Sequence, residues 1–193
     1  MQRRTVLVMT ICAWVLPVRP AIAQTNSGFE RTHTSFTSVR QYVAAETVPA
    51  RLALPPNFIV PDNFRHVIES MLHDSPTFRR QCLRIAGEPK LMIHLIFATP
   101  SWRSDVRAMT TITREPDGRQ VAHIAIVPRR DLVELVAHEF EHIVEQLDGV
   151  DLAAQASRPR TGVHAQSGPV GMFETVRATR IGLRVAGEMR GAP

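Results

Sequence analysis

The chain has 193 residues, the length of one ordinary domain, of which 44% are hydrophobic and 21% charged. That composition is globular, with no low-complexity run and no internal repeat, which excludes a wholly disordered chain and a solenoid. The formal charge is +5, but Arg3, Arg4 and Arg19 fall in the first 23 residues, which hold no acid; without them 20 basic side chains face 18 acidic ones. The high charge of the whole chain therefore gives no argument for nucleic-acid binding.

Residues 1–23 read as a secretory signal peptide. Arg3 and Arg4 form a basic start, Thr5 to Leu16 is an apolar run, and Ala21-Ile22-Ala23 is a small-residue cleavage pattern before Gln24. The expectation is an exported protein, periplasmic or secreted, cleaved after Ala23 and with no membrane contact beyond this leader. Cys82 is then the single cysteine, so no internal disulfide can form. Its neighbours Phe78, Leu83 and Ile85 suggest a buried thiol.

Residues 24–61 read as an arm or linker, polar to about Val48 and then proline-rich and extended. Residues 62–190 read as a single domain. Asp62 can cap a helix with Phe64, Val67, Ile68, Met71 and Leu72 on one stripe. Ser75-Pro76 restarts a helix with Phe78, Cys82, Ile85 and Ala86 inward, stopped by Gly87. Leu91 to Ala98 reads as a buried strand. Arg107 to Arg114 and Gln120 to Val127 flank Pro116-Asp117-Gly118 and read as a β-hairpin.

Asp131 to Leu147 is the strongest helix. Leu132, Val136, Phe140, Ile143 and Leu147 form its core stripe, while Glu134, Ala137, Glu141 and Glu145 read as a wet face. Gly149 ends it. Asp151 to about Pro169 reads as a polar loop. A last helix is expected from about Val170 to Ala186, with Met172, Val176, Thr179 and Leu183 on one stripe and Glu174, Ala178, Ile181 and Val185 on the next. The fold class is α+β, with a small, mainly antiparallel sheet of about three strands backed by helices.

The strongest helix carries His138-Glu139-Phe140-Glu141-His142. Residues four apart on a helix are stacked neighbours, so the two imidazoles can converge on one metal ion, with Glu139 beside them to take a proton from water. With eight histidines in the chain, the pattern arises by chance in roughly one chain in fifty, so its mid-helix setting next to a core stripe matters. A catalytic zinc site needs a third protein ligand and one open position. Glu174, flanked by apolar Met172 and Phe173 at the start of the last helix, is one candidate; its other reading is an acid favoured by a helix N-terminus. His164, in the polar loop, is the competing candidate.

The order of these elements, with Val133 to Asp148 around the two-histidine motif and Phe173-Glu174-Thr175-Val176-Arg177-Ala178 after it, resembles the gluzincin class of zinc metallopeptidases in a minimal form. It is also similar to uncharacterised exported bacterial proteins sharing Ser75 to Cys82 and His138 to Leu152. The resemblance implies a zincin-like fold with one zinc ion on His138, His142 and Glu174, and Glu139 as general base. It also implies peptide-bond hydrolysis of a peptide or protein substrate. One departure stands out: the position four after Glu174 in that pattern, an aspartate that orients a motif histidine, is Ala178 here. Asp148 and Asp151 are the expected substitutes. Tyr42, His123, His164 and Arg177 are candidate donors to the oxyanion. His94 and His123 otherwise read as core histidines. Either hairpin strand could pair with a substrate peptide. The alternative is a zinc-binding envelope protein without turnover.

Overall fold

Alternation on strands and 3.6-residue stripes on helices decide where the core forms. The computed structural model describes residues 9–12, 53–98, 106–128, 130–166 and 172–191, all within one compact unit. Most of the expected leader, residues 24–52 of the arm, Tyr42 and Trp102 lie outside the described residues. The strands are β1 (Met9–Cys12), β2 (Phe58–Ile59), β3 (Leu91–Phe97), β4 (Ala108–Arg114), β5 (Gln120–Ile126), β6 (Val163–Gln166) and β7 (Met172–Thr175). The helices are α1 (Asp62–Asp74), α2 (Pro76–Ala86), α3 (Leu132–Leu147), α4 (Leu152–Ala156) and α5 (Val176–Gly191). The class is α+β, and no described helix is long and apolar enough to cross a membrane.

The main sheet has the order β2-β3-β5-β4, with β6 and β7 forming a separate antiparallel pair; β1 runs between β4 and β7 and joins the two. The expected mainly antiparallel sheet of about three strands is corrected. The sheet is mixed: β2 lies parallel to β3, and β3 parallel to β5 from Leu91↔Gln120 to Phe97↔Ile126. The hairpin forms as expected, with Glu115 N donating to Arg119 O and Gly118 at φ 82° in the turn. Because β5 inserts between β3 and β4, it is a central strand and offers no edge.

Leu91, Ile93, Leu95, Ala122, Ile124, Ile126 and Ala108 bury their side chains in one core with Phe64, Ile68, Phe78, Ile85, Val136, Phe140 and Ile143. Burial of each large apolar side chain contributes about 1.5–3 kcal/mol. The other sheet face is less covered: Met92 and Ile96 are exposed, so β3 is half-buried and not the fully buried strand its apolar run suggests.

The helix stripes on α1 and α2 place Phe64, Ile68, Met71, Leu72, Phe78, Cys82 and Ile85 inward, while Ala86 is exposed. Ser75 caps α2, its side chain accepting from Phe78 N. Asp62 does not cap α1; Pro61 is the cap residue, and Asp62 is an acid in the first turn, where the helix dipole favours it. Burial pushes the Cys82 thiol far up, which keeps it an inert core group.

Two further expectations are corrected. Residues 151–166 hold α4 and β6 in place of a continuous loop, and Met172–Thr175 is a strand, so α5 starts only at Val176. The side chains of α5 that face inward are Ala178, Val185 and Ala186 with Gly182 among them, while Leu183 is 52% exposed. At Gly182, α5 comes close to α3. A Cβ there would stand 2.8 Å from Glu134 O and 3.3 Å from His138 Cβ. This contact sets the distance between the motif helix and the helix that follows Glu174.

Candidate metal centre

α3 begins after Asp131 and ends at Asp148, with Gly149 at φ 73° just beyond. Between those ends it is enclosed by α2, α5 and the sheet, so nearly the whole middle of the helix is buried, polar residues included. The expected wet face is therefore corrected: Ala137, Glu141 and Glu145 are all buried. Each carboxylate must then find partners or remain without them at a cost of several kcal/mol.

His138 and His142 are buried one turn apart and meet edge to face, their ring centroids 4.7 Å apart and their Nε2 atoms 3.0 Å apart. Glu174 arrives from the end of β7, its Oε1 3.1 Å from His138 Nε2. One ligand atom from each of these three residues falls within 4.8 Å of the other two. Glu174 Oε1 also accepts from Thr175 N and Thr179 Oγ1. The second oxygen, Oε2, is buried and has no partner among the described residues.

Glu139 is wholly buried. Its Oε2 accepts from Thr110 Oγ1 on β4 at 2.7 Å, and its Oε1 is also without a partner among the described residues. Burial pushes the Glu139 carboxyl up to about 7, against the pull of the His138 charge and the Thr110 hydrogen bond. For His142, burial and the His138 charge hold the imidazole well below its ordinary value, which keeps it neutral. For His138, burial acts the same way, but the hydrogen bond to Glu174 and the surrounding carboxylates outweigh it and raise the value. Neutral imidazole is the form that binds a metal.

His142 Nδ1 lies 2.9 Å from Glu145 Oε2, and Glu145 Oε1 accepts from Thr175 Oγ1 at 2.8 Å. The carboxylate behind the motif histidine is thus Glu145; neither Asp148 nor Asp151 makes that contact. Asp148 pairs with Arg84 and Arg177, and Asp151 caps α4 by accepting from Ala154 N. The signal was in the sequence: Glu145 is three residues after His142, a neighbouring position on a helix.

His164 is exposed on β6 and stands directly opposite Glu174 in the antiparallel register. Paired residues in such a ladder project from the same face, so His164 is beside the three-residue cluster without belonging to it. Arg177 is engaged elsewhere, donating from Nε to Glu141 Oε1 at 2.6 Å and from Nη2 to Asp148 Oδ2 at 3.0 Å. His94 and His123 meet edge to face on the less covered face of the sheet, opposite the side that carries Thr110. No protein-family model matches the chain, and no curated protein or solved structure matches it.

Proposed function

We propose that the chain is an exported, zinc-dependent peptidase of zincin-like fold, with one zinc ion held by His138, His142 and Glu174. One observation supports this reading above the others. Buried Glu139 and partly buried Glu174 each keep one carboxylate oxygen without a partner among the described residues, beside two imidazoles whose Nε2 atoms converge. Such oxygens are costly unless a ligand takes them. Two imidazole nitrogens and one carboxylate are a zinc donor set that leaves a fourth position open.

Zinc held by His138, His142 and Glu174 would supply Lewis acidity, making water able to lose a proton near neutral pH. Glu139 Oε1 takes that proton and passes it to the leaving amine. Thr110 holds the other oxygen of Glu139 and so aims the free one. His164, on the exposed rim across from Glu174, is the donor for the developing oxyanion. Arg177 takes no such part, being held by Glu141 and Asp148.

Substrate would bind as an extended strand along the outer edge of β4. That edge already accepts an antiparallel partner, β1, with Ile11 opposite Thr110, and β1 also lies parallel to β7 with Ile11 opposite Phe173. With residues 1–23 removed, the same edge would be open to a peptide next to Glu139 and Glu174.

The test is cleavage of a library of internally quenched peptides. Zinc-loaded protein is expected to cut a subset, 1,10-phenanthroline to stop it, added zinc to restore it, and Glu139→Gln to be inert. Zinc-loaded protein that cuts nothing would leave a zinc-holding envelope protein without turnover.

A further inference from the structure

Glu145 does more than fill space beside the metal centre. It lies one turn after His142 on α3, and both are buried. An imidazole carries its single neutral proton on one ring nitrogen, and the other then has the lone pair. His142 Nδ1 faces Glu145 Oε2 at 2.9 Å, and His142 Nε2 faces His138 Nε2 at 3.0 Å. An acceptor behind Nδ1 puts the proton there and turns the lone pair of Nε2 toward the cluster.

Thr175 engages the other oxygen of Glu145, leaving Oε2 to face His142 Nδ1. The Thr175 hydroxyl oxygen accepts from Ala178 N at 2.9 Å, capping the first turn of α5. Its single proton is then directed to Glu145 Oε1 at 2.8 Å. Thr175 directly follows Glu174, whose Oε1 accepts from Thr175 N. One residue therefore fixes the start of α5, touches the third ligand and holds the carboxylate behind the second.

We propose that Thr175 and Glu145 form a positioning relay that selects the Nδ1–H tautomer of His142 and fixes its ring. The relay couples the placement of Glu174 to the orientation of His142, and its purpose rests on the zinc reading. It fills the role left open by Ala178, with an acid from the motif helix itself.

The test uses the purified chain, Glu145→Ala, Glu145→Gln, Thr175→Val and Thr175→Ser. Two readouts are taken: the His142 tautomer by long-range proton–nitrogen correlation without metal, and zinc affinity by chelator competition. The unsubstituted chain is expected to show His142 protonated at Nδ1. Glu145→Ala is expected to lose that preference and to hold zinc roughly 10–100-fold more weakly. Glu145→Gln keeps an amide oxygen that accepts from Nδ1–H, so tautomer and affinity should stay within a few-fold of the unsubstituted chain. Thr175→Val should fall between, and Thr175→Ser should restore both. An unchanged tautomer in Glu145→Ala, or equal losses in Glu145→Ala and Glu145→Gln, would overturn the relay. If the unsubstituted chain binds no zinc, the zinc reading fails, and the tautomer still decides the relay.

Discussion

On the side of α3 that meets α2, Glu141 has both oxygens occupied. Gln81 Nε2 donates to one at 2.8 Å and Arg177 Nε to the other at 2.6 Å. On the side that meets β4 and β7, Glu139 and Glu174 each leave one oxygen with no partner among the described residues. Glu188 resembles Glu141: Thr77 Oγ1 donates to one oxygen, and Ser75 Oγ and Thr77 N to the other. A buried or half-buried acid whose lone pairs are filled by the protein ties elements together. On the zinc reading proposed above, the open lone pairs beside the two converging imidazoles would be taken by the metal.

The largest effect expected from this contrast is on turnover. Glu139→Gln removes the proton acceptor but keeps the shape and the Thr110 contact, so peptide cleavage should fall at least ~100-fold with zinc retained. Steady-state kinetics beside a zinc assay checks it. Glu141→Ala should do the reverse. It leaves Gln81 Nε2 with only Ala137 O and Arg177 with only Asp148, so denaturant unfolding should show a loss of about 2 kcal/mol, with zinc stoichiometry unchanged.

Gly182→Ala sharpens the contrast from another direction, because the added methyl meets Glu134 O and His138 Cβ. A loss of about 2 kcal/mol in thermal unfolding is expected, together with weaker zinc binding. The smallest effect is at Glu188. Burial alone would raise its carboxyl, but hydrogen bonds from Ser75 and Thr77 and the Arg80 charge outweigh burial and hold it below the ordinary value. Its contribution is therefore present above the ordinary carboxylate value of about 4.3 and is lost as pH falls through the lower folded value. Glu188→Gln should cost about 1 kcal/mol at neutral pH and flatten that part of the acid unfolding curve.

The parts of the fold carried by local pattern were legible in the sequence. The stripes of α1 and α2, the Ser75 cap, the hairpin turn at Gly118 and the end of α3 before Gly149 all follow from neighbouring residues. What depends on distant partners was not. Glu141 and Glu145 read as a wet face because a charged residue on a helix usually faces water; here α2 and α5 cover them, and Gln81 and Arg177 at Glu141, with Thr175 and His142 at Glu145, show why they are tolerated. Met172–Thr175 runs into α5 without a glycine or proline between them, so its strand form is set by pairing with β6. The two-histidine motif and Glu174 were legible as residue types at a spacing. That Glu174 reaches them from a strand end required the tertiary contacts, whereas Glu145 behind His142 lay within reach of helix spacing alone.

The measurement that bears most directly on the account is zinc content after chelation and titration, in the unsubstituted chain, Glu174→Ala and Glu141→Ala. The account predicts one zinc per chain in the unsubstituted protein and in Glu141→Ala, and much weaker binding in Glu174→Ala. No zinc in the unsubstituted chain, or equal loss in both variants, would contradict it.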